Sequence, residues 1–138
     1  MKNILYLLVL LLILSSCSPS VRFSSNSSVG IIKGKGETLP VGTKLKGIAS
    51  FYADMFEGRK TANGEIYSQG NLTAAHKTLA FGTRVKVTNL RNGKSIIVEV
   101  NDRGPYVDDR IIDLTKKAAE TLDYIKQGTA EVELEILE

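Results

Sequence analysis

Apolar and polar residues alternate through Thr83 to Leu90 and again through Lys94 to Val100, the period that turns one face of a strand to a core and the other to water. Arg91-Asn92-Gly93 separates the two runs. Asn-Gly accepts positive φ at low cost, so the pair predicts a β-hairpin. Shorter runs at Lys46 to Tyr52 and Thr129 to Leu137 predict two more strands. One segment has helical character instead: Thr115 can cap Lys116-Lys117-Ala118-Ala119-Glu120-Thr121-Leu122, whose apolar residues fall on one side. A helix of about two turns is marginal alone in water, so it must be stabilised by covering the strands. Short strands, one helix and glycine-rich connections point to a small barrel.

The first residues follow another pattern. Lys2 precedes an apolar run, Ile4 to Leu14, and then Ser15-Ser16-Cys17, the basic, apolar and small-residue regions of a signal peptide. A spanning helix needs about 20 apolar residues, more than this run supplies. Cys17 is the single cysteine, which excludes an internal disulfide. Leu14-Ser15-Ser16-Cys17 resembles a bacterial lipobox, in which the cysteine is lipidated and becomes the first residue of the mature chain. Ser18 follows, not Asp; by resemblance to lipoprotein sorting, that favours an outer membrane, with the domain facing the periplasm, over an inner one. Each buried acyl methylene contributes about 0.8 kcal/mol, so two or three chains anchor firmly. From Ser18 to about Lys46 the chain is rich in Ser, Gly and Lys without a sustained period, and reads as a tether with a root-mean-square reach of about 30 Å. Val29-Gly30-Ile31-Ile32 is alternatively a short strand packed on the barrel. The expected organisation is a lipoprotein signal peptide over residues 1–16, lipidated Cys17 and tether over 17–46, and a barrel domain over 47–138.

A chain of 138 residues has room for one domain beyond such a leader. The formal net charge of +3 falls by one when Lys2 leaves. So mild an excess, with no basic run or aromatic ladder, argues against a nucleic-acid partner and tolerates an anionic wall polymer. One histidine and one cysteine do not make a zinc site. No cofactor motif occurs, and no cofactor is expected.

The residues with chemical potential gather at strand ends. A strand that closes on Val100-Asn101-Asp102-Arg103-Gly104-Pro105-Tyr106 has begun a turn, which puts Asp102 at a strand mouth. Thr73-Ala74-Ala75-His76-Lys77-Thr78 carries the only histidine. These blocks, with Gly47-Ile48-Ala49-Ser50-Phe51-Tyr52, Thr61-Ala62-Asn63-Gly64-Glu65, Phe81-Gly82-Thr83 and Arg110-Ile111-Ile112-Asp113-Leu114, resemble the rare lipoprotein A family in order and register from Gly47 to Glu138. Ala80 stands where that family often has proline. The resemblance implies a mainly β fold, a six-stranded double-psi β-barrel with one short helix. In active members it implies endolytic transglycosylase action on peptidoglycan glycan strands, with strands lacking stem peptides preferred and the domain monomeric.

Carried over residue by residue, the resemblance implicates Asp102, Glu65 and His76 in catalysis. A glycosidic oxygen leaves poorly unless an acid protonates it as the bond breaks. A lytic transglycosylase attacks with the substrate's own C6 hydroxyl and closes a 1,6-anhydro ring, so one acid/base can serve both steps. That role is assigned to Asp102, which must then be kept protonated by burial or a nearby carboxylate; Arg103 opposes this unless its guanidinium points elsewhere. The plain alternative for Asp102 is a turn residue accepting backbone amides. Glu65 is read as a second carboxylate, or else a solvated turn residue, and His76 as a carboxylate-orienting group or proton shuttle, or else a structural hydrogen-bond group. Asp113 is the rival: related expansins and barwin-like endoglucanases hold an aspartate of similar Asp-Leu-Ser/Thr context in their groove, although it also suits helix entry. Tyr52, Tyr106, Asn63, Lys77, Arg103 and Asp113 are candidate sugar contacts. The competing reading of the whole site is an expansin-like lipoprotein that binds peptidoglycan without cleaving it.

Overall fold

In the computed structural model, which describes residues 34–138, the chain runs β1 (Lys44–Phe51), a single 3-10 turn (Asp54–Phe56), β2 (Thr73–His76), β3 (Arg84–Asn89), β4 (Ser95–Asp102), β5 (Arg110–Leu114), α1 (Lys116–Thr121) and β6 (Ala130–Ile136). The leader, Cys17 and the Val29 to Ile32 segment lie outside the described residues. The predicted hairpin is β3–β4, in register Val85↔Val98 and Val87↔Ile96. Gly93 turns it at φ 73°, its amide donating to Asn89 O at 2.8 Å.

The strands close into a barrel in the order β1-β5-β2-β4-β3-β6. Only β1/β5 and β2/β4 are parallel; the other pairs are antiparallel. Exchanging β1 with β4, β2 with β5 and β3 with β6 leaves this scheme unchanged, the pseudo-two-fold of a double-psi barrel. Closure leaves no strand edge exposed for pairing with another chain.

The alternation explains the core. Val85 and Val87, Val98 and Val100, Ile112 and Leu114, and Val132, Leu134 and Ile136 point inward, while Lys86, Glu99 and Glu133 point out. Each such aliphatic side chain contributes on the order of 1.5–3 kcal/mol when fully buried. Asn89 occupies an inward position, and its Nδ2 donates to Leu122 O at 2.9 Å, so the polar group is satisfied. α1 buries Ala118 and Ala119 on the barrel. Thr115 stands at its N-cap as expected, but the side chain makes no cap bond; the hydroxyl donates instead to Asn71 O, in the loop before β2, at 2.5 Å. β1 starts at Lys44, and residues upstream of it also pack: Glu37 bridges Leu79, so part of the segment read as tether lies on the domain.

Candidate active site

Register builds the site. Ala75 on β2 pairs with Asp102 on β4 and with Asp113 on β5, and Asp113 pairs with Ser50 on β1. Laterally paired residues project from the same face of a sheet. Ser50, Asp113, Ala75 and Asp102 therefore form one row across four strands. With strands about 4.8 Å apart, the two aspartates are about 10 Å apart at Cα, with only the Ala75 methyl between them. The row depends on a register shift between Ala74 and Ala75, where Asn101 is the extra residue of β4. Without that bulge Ala75 would oppose Asn101, and Asp102 would face the other side of the sheet.

Asp113, Ala75 and Asp102 of this row floor a cleft of about 590 Å³ whose walls include Tyr52, Phe56, Arg59, Lys60, Tyr106, Val107 and Arg110. Tyr106 is 88% exposed, too open for a packing role. A second hollow of about 480 Å³ beside the hairpin turn holds Arg91, Asp123 and Glu131 but none of the site residues predicted from sequence.

The two carboxylates differ in their partners. Asp102 Oδ2 accepts from Tyr52 Oη at 2.6 Å, and Oδ1 accepts from the amides of Ala62 at 2.8 Å and Arg103 at 2.9 Å. The Tyr52 ring is wedged between Tyr67 and Phe56, 4.6 and 5.9 Å away between centroids. Burial, reinforced by the Asp102 carboxylate, pushes its phenol far above the usual range, so Tyr52 remains a donor. Among the described residues, Asp113 Oδ1 is buried with no hydrogen-bond donor. Arg110 Nε stands 3.6 Å from it, beyond a hydrogen bond, while Arg110 Nη1 donates to Ser50 Oγ at 3.0 Å. Burial raises the Asp113 pKa; Arg110 opposes the shift and Asp102 adds to it.

The other expected residues are placed around this pair rather than in it. Glu65 does not line the cleft; its Oε2 accepts from Asn101 Nδ2 at 2.9 Å, tying the Thr61-to-Glu65 loop to the bulge. Asn63 Oδ1 accepts from Thr61 Oγ1 at 2.7 Å and from Glu65 N at 3.1 Å, which shapes that loop and aims Ala62 N at Asp102. His76 is buried behind the cleft, and its Nδ1 accepts from the amides of Thr78 and Leu79 at 3.2 and 3.1 Å. Burial first, then the Arg103 charge, lowers its pKa to about 4, so it is neutral at physiological pH. Lys77 is exposed and away from the cleft walls. Arg103 contributes to the wall, but its guanidinium is engaged by the backbone carbonyls of Lys35, His76 and Leu79.

Ser50, Ala75, Arg59, Lys60 and Arg110 were not singled out from the sequence. Arg110 lies three residues before Asp113 in the same block, a usable signal. Ala75 could be recognised only through its pairing.

Fold and cleft together define a double-psi barrel protein that presents two unlike aspartates on one open floor. A family model described as lytic transglycolase matches residues 44–134, and the chain belongs to that family. It is 49% identical to the endolytic peptidoglycan transglycosylase RlpA of Campylobacter jejuni over 86% of this chain and 48% of that protein. It is 55% identical to a probable endolytic peptidoglycan transglycosylase RlpA of Synechocystis over 67% of this chain and 29% of that one. The chain thus spans about half or less of the length of these curated relatives. Among solved structures, the Streptomyces papain inhibitor superposes with a TM-score of 0.59 at 24% identity, covering 73% of this chain and 100% of that one. An apo expansin of Clavibacter michiganensis gives 0.57 at 19%, covering 70% and 51%. These two likenesses show the barrel fold.

Proposed function

We propose that this domain is a lytic transglycosylase that cleaves peptidoglycan glycan strands in the Asp102–Asp113 cleft. The observation that carries the reading is the contrast between the two carboxylates: among the described residues Asp113 Oδ1 has no donor, and burial raises the Asp113 pKa, whereas Asp102 has three donors aimed at its oxygens. That contrast moves the acid role, expected at Asp102, to Asp113. Asp113 gives its proton to the bridging oxygen as the bond from the muramic acid C1 breaks, the C6 hydroxyl of the same sugar closes on C1, and its proton passes to Asp102. Water is not consumed, the product carries a 1,6-anhydro ring, and exchange with solvent resets both carboxyls.

The cleft walls support a sugar strand as occupant. Tyr106 and Phe56 offer aromatic faces, while Arg59 and Lys60 suit the carboxylates of a wall polymer. Glu65, Asn63 and His76 act in this reading by holding in place the loop that carries Ala62, the Asn101 bulge of β4 and the turn that carries Leu79. Cys17 would fasten the domain to an envelope membrane, an outer one by its following serine.

The test is mass spectrometry of material released from purified sacculi. Anhydro-ended fragments are expected from the full-length protein and none from Asp113→Asn; reducing ends would mean hydrolysis, and retention on sacculi without any release would mean a binding module. For the anchor, loss of membrane association in Cys17→Ala is expected, and an unchanged membrane fraction would refute lipidation.

A further inference from the structure

We infer that Gly34–Glu37 acts as a strap that keeps the Arg103 guanidinium out of the cleft, leaving Asp102 free to serve the reaction; this rests on the reading of the cleft given above. Arg103 follows Asp102 in the chain, and a guanidinium beside a carboxylate ordinarily pairs with it. Here it is turned away. Nη1 donates to Leu79 O at 2.8 Å and to His76 O at 3.2 Å, Nη2 donates to Lys35 O, and the guanidinium carbon lies 3.9 Å from the centroid of the Phe81 ring. Arg103 is thereby a positioning residue, and Lys35 supplies one of its three anchoring carbonyls from outside the barrel strands.

The strap is fastened in turn and shaped for close approach. Glu37 N donates to Thr78 O at 2.5 Å, and Ala80 N donates to Glu37 O at 2.8 Å. A Cβ on Gly36 would meet Arg103 Nη2 at 2.6 Å and Thr78 O at 2.7 Å, and its φ of 140° disfavours any side chain. A Cβ on Gly34 would run into Phe81 O. Barrel closure does not use these residues; Glu37 makes an isolated bridge to Leu79, in the loop after β2 and outside the barrel strands. Releasing the strap removes one anchor and the two backbone bonds that hold it, and the arginine is then able to swing toward the carboxylate beside it.

The experiment is a double-mutant cycle in the full-length chain, read as kcat and KM on purified glycan strands, with strap release monitored by hydrogen exchange at Ala80 N. Glu37→Pro deletes the amide that bonds Thr78 O. It is expected to lower kcat about 10-fold with KM within about twofold, and to have less than about a twofold effect in an Arg103→Gln background, because the harm travels through the arginine. Gly36→Val is the second strap variant and should behave as Glu37→Pro does. Equal effects of Glu37→Pro in both backgrounds, or fast exchange at Ala80 N with unchanged kcat, would overturn the inference. Global unfolding of both strap variants would also overturn it, by making the strap a requirement of the fold. An inactive wild type would instead sink the transglycosylase reading itself.

Discussion

Asp102 and Asp113 share one cleft floor and one chemical group, yet the barrel treats them in opposite ways. The pairing scheme relates Ser50–Asp113 on one parallel pair to Asp102–Ala75 on the other, so the pseudo-two-fold supplies equivalent places and the sequence fills them unequally. Asp102 ends β4, where turn amides and Tyr52 reach it; Asp113 lies within β5, where the backbone donors are spent on the ladders and no amide is left for a side chain. A position at a strand end thus surrounds one aspartate with donors, and a position inside a strand leaves burial to raise the pKa of the other.

The largest effect expected from breaking this contrast is on turnover. Asp113→Asn should lower kcat by about 10²–10⁴ with little change in melting temperature, since it removes a general acid without removing volume. A variant within about tenfold of wild type would end the acid assignment.

His76 repeats the Asp102 pattern away from the cleft walls, with two amides on Nδ1, and it sharpens the comparison through stability. His76→Ala leaves two amides without an acceptor and should cost about 2–4 kcal/mol in denaturant unfolding. His76→Asn, which can place Oδ1 near the lost Nδ1, should recover most of that. The sign of the pH dependence follows from the folded value of about 4 against the ordinary 6.5. Below the ordinary value the unfolded chain takes a proton that the folded one refuses, so stability is full above about 6.5 and declines as pH falls toward about 4. The decline should shrink in His76→Asn; an unchanged pH slope would show that other groups cause it.

Tyr52→Phe removes one of the three donors on Asp102. It should reduce kcat/KM by about 10-fold, the value of one hydrogen bond to a charged group; an effect as large as that of Asp113→Asn would mean that Asp102 carries more of the chemistry than its donors suggest. At the small end, Lys44→Ala removes an exposed ion pair with Glu133 on the outer barrel wall, and should leave the melting temperature within about 1 °C and activity unchanged.

The β3–β4 hairpin and β6 were legible from alternation and from Asn-Gly, and the residues of α1 from a capping threonine and apolar residues on one side, because one face of each is buried and the period survives in the residue order. β2 and β5 were not: Thr73–His76 is too short to show a period, and Arg110–Leu114 is apolar at adjacent positions. Only the family resemblance anticipated them. Asp102 and Asp113 were both legible as candidates, but their surroundings were not, since these depend on distant segments: Tyr52 and Ala62 donate to one, and no described residue donates to Oδ1 of the other. Glu65 and His76 were legible as polar residues in marked blocks; whether such a residue faces a cleft or braces a loop is decided by the bulge at Asn101 and the turn at Thr78, which no spacing rule encodes. The strap residues read as tether because Gly and Lys carry no period, although here the glycines mark close approach of backbone to backbone.

The most direct test of the central claim is a carboxyl-detected NMR titration of the aspartates in the folded protein. Asp113 is expected to titrate above the ordinary carboxylate range of about 3.9, and its midpoint should fall in Asp102→Asn, because the neighbouring negative charge helps to hold the proton there. An Asp113 midpoint at or below the ordinary value, or one indifferent to the loss of Asp102, would contradict the division of labour between the two carboxylates.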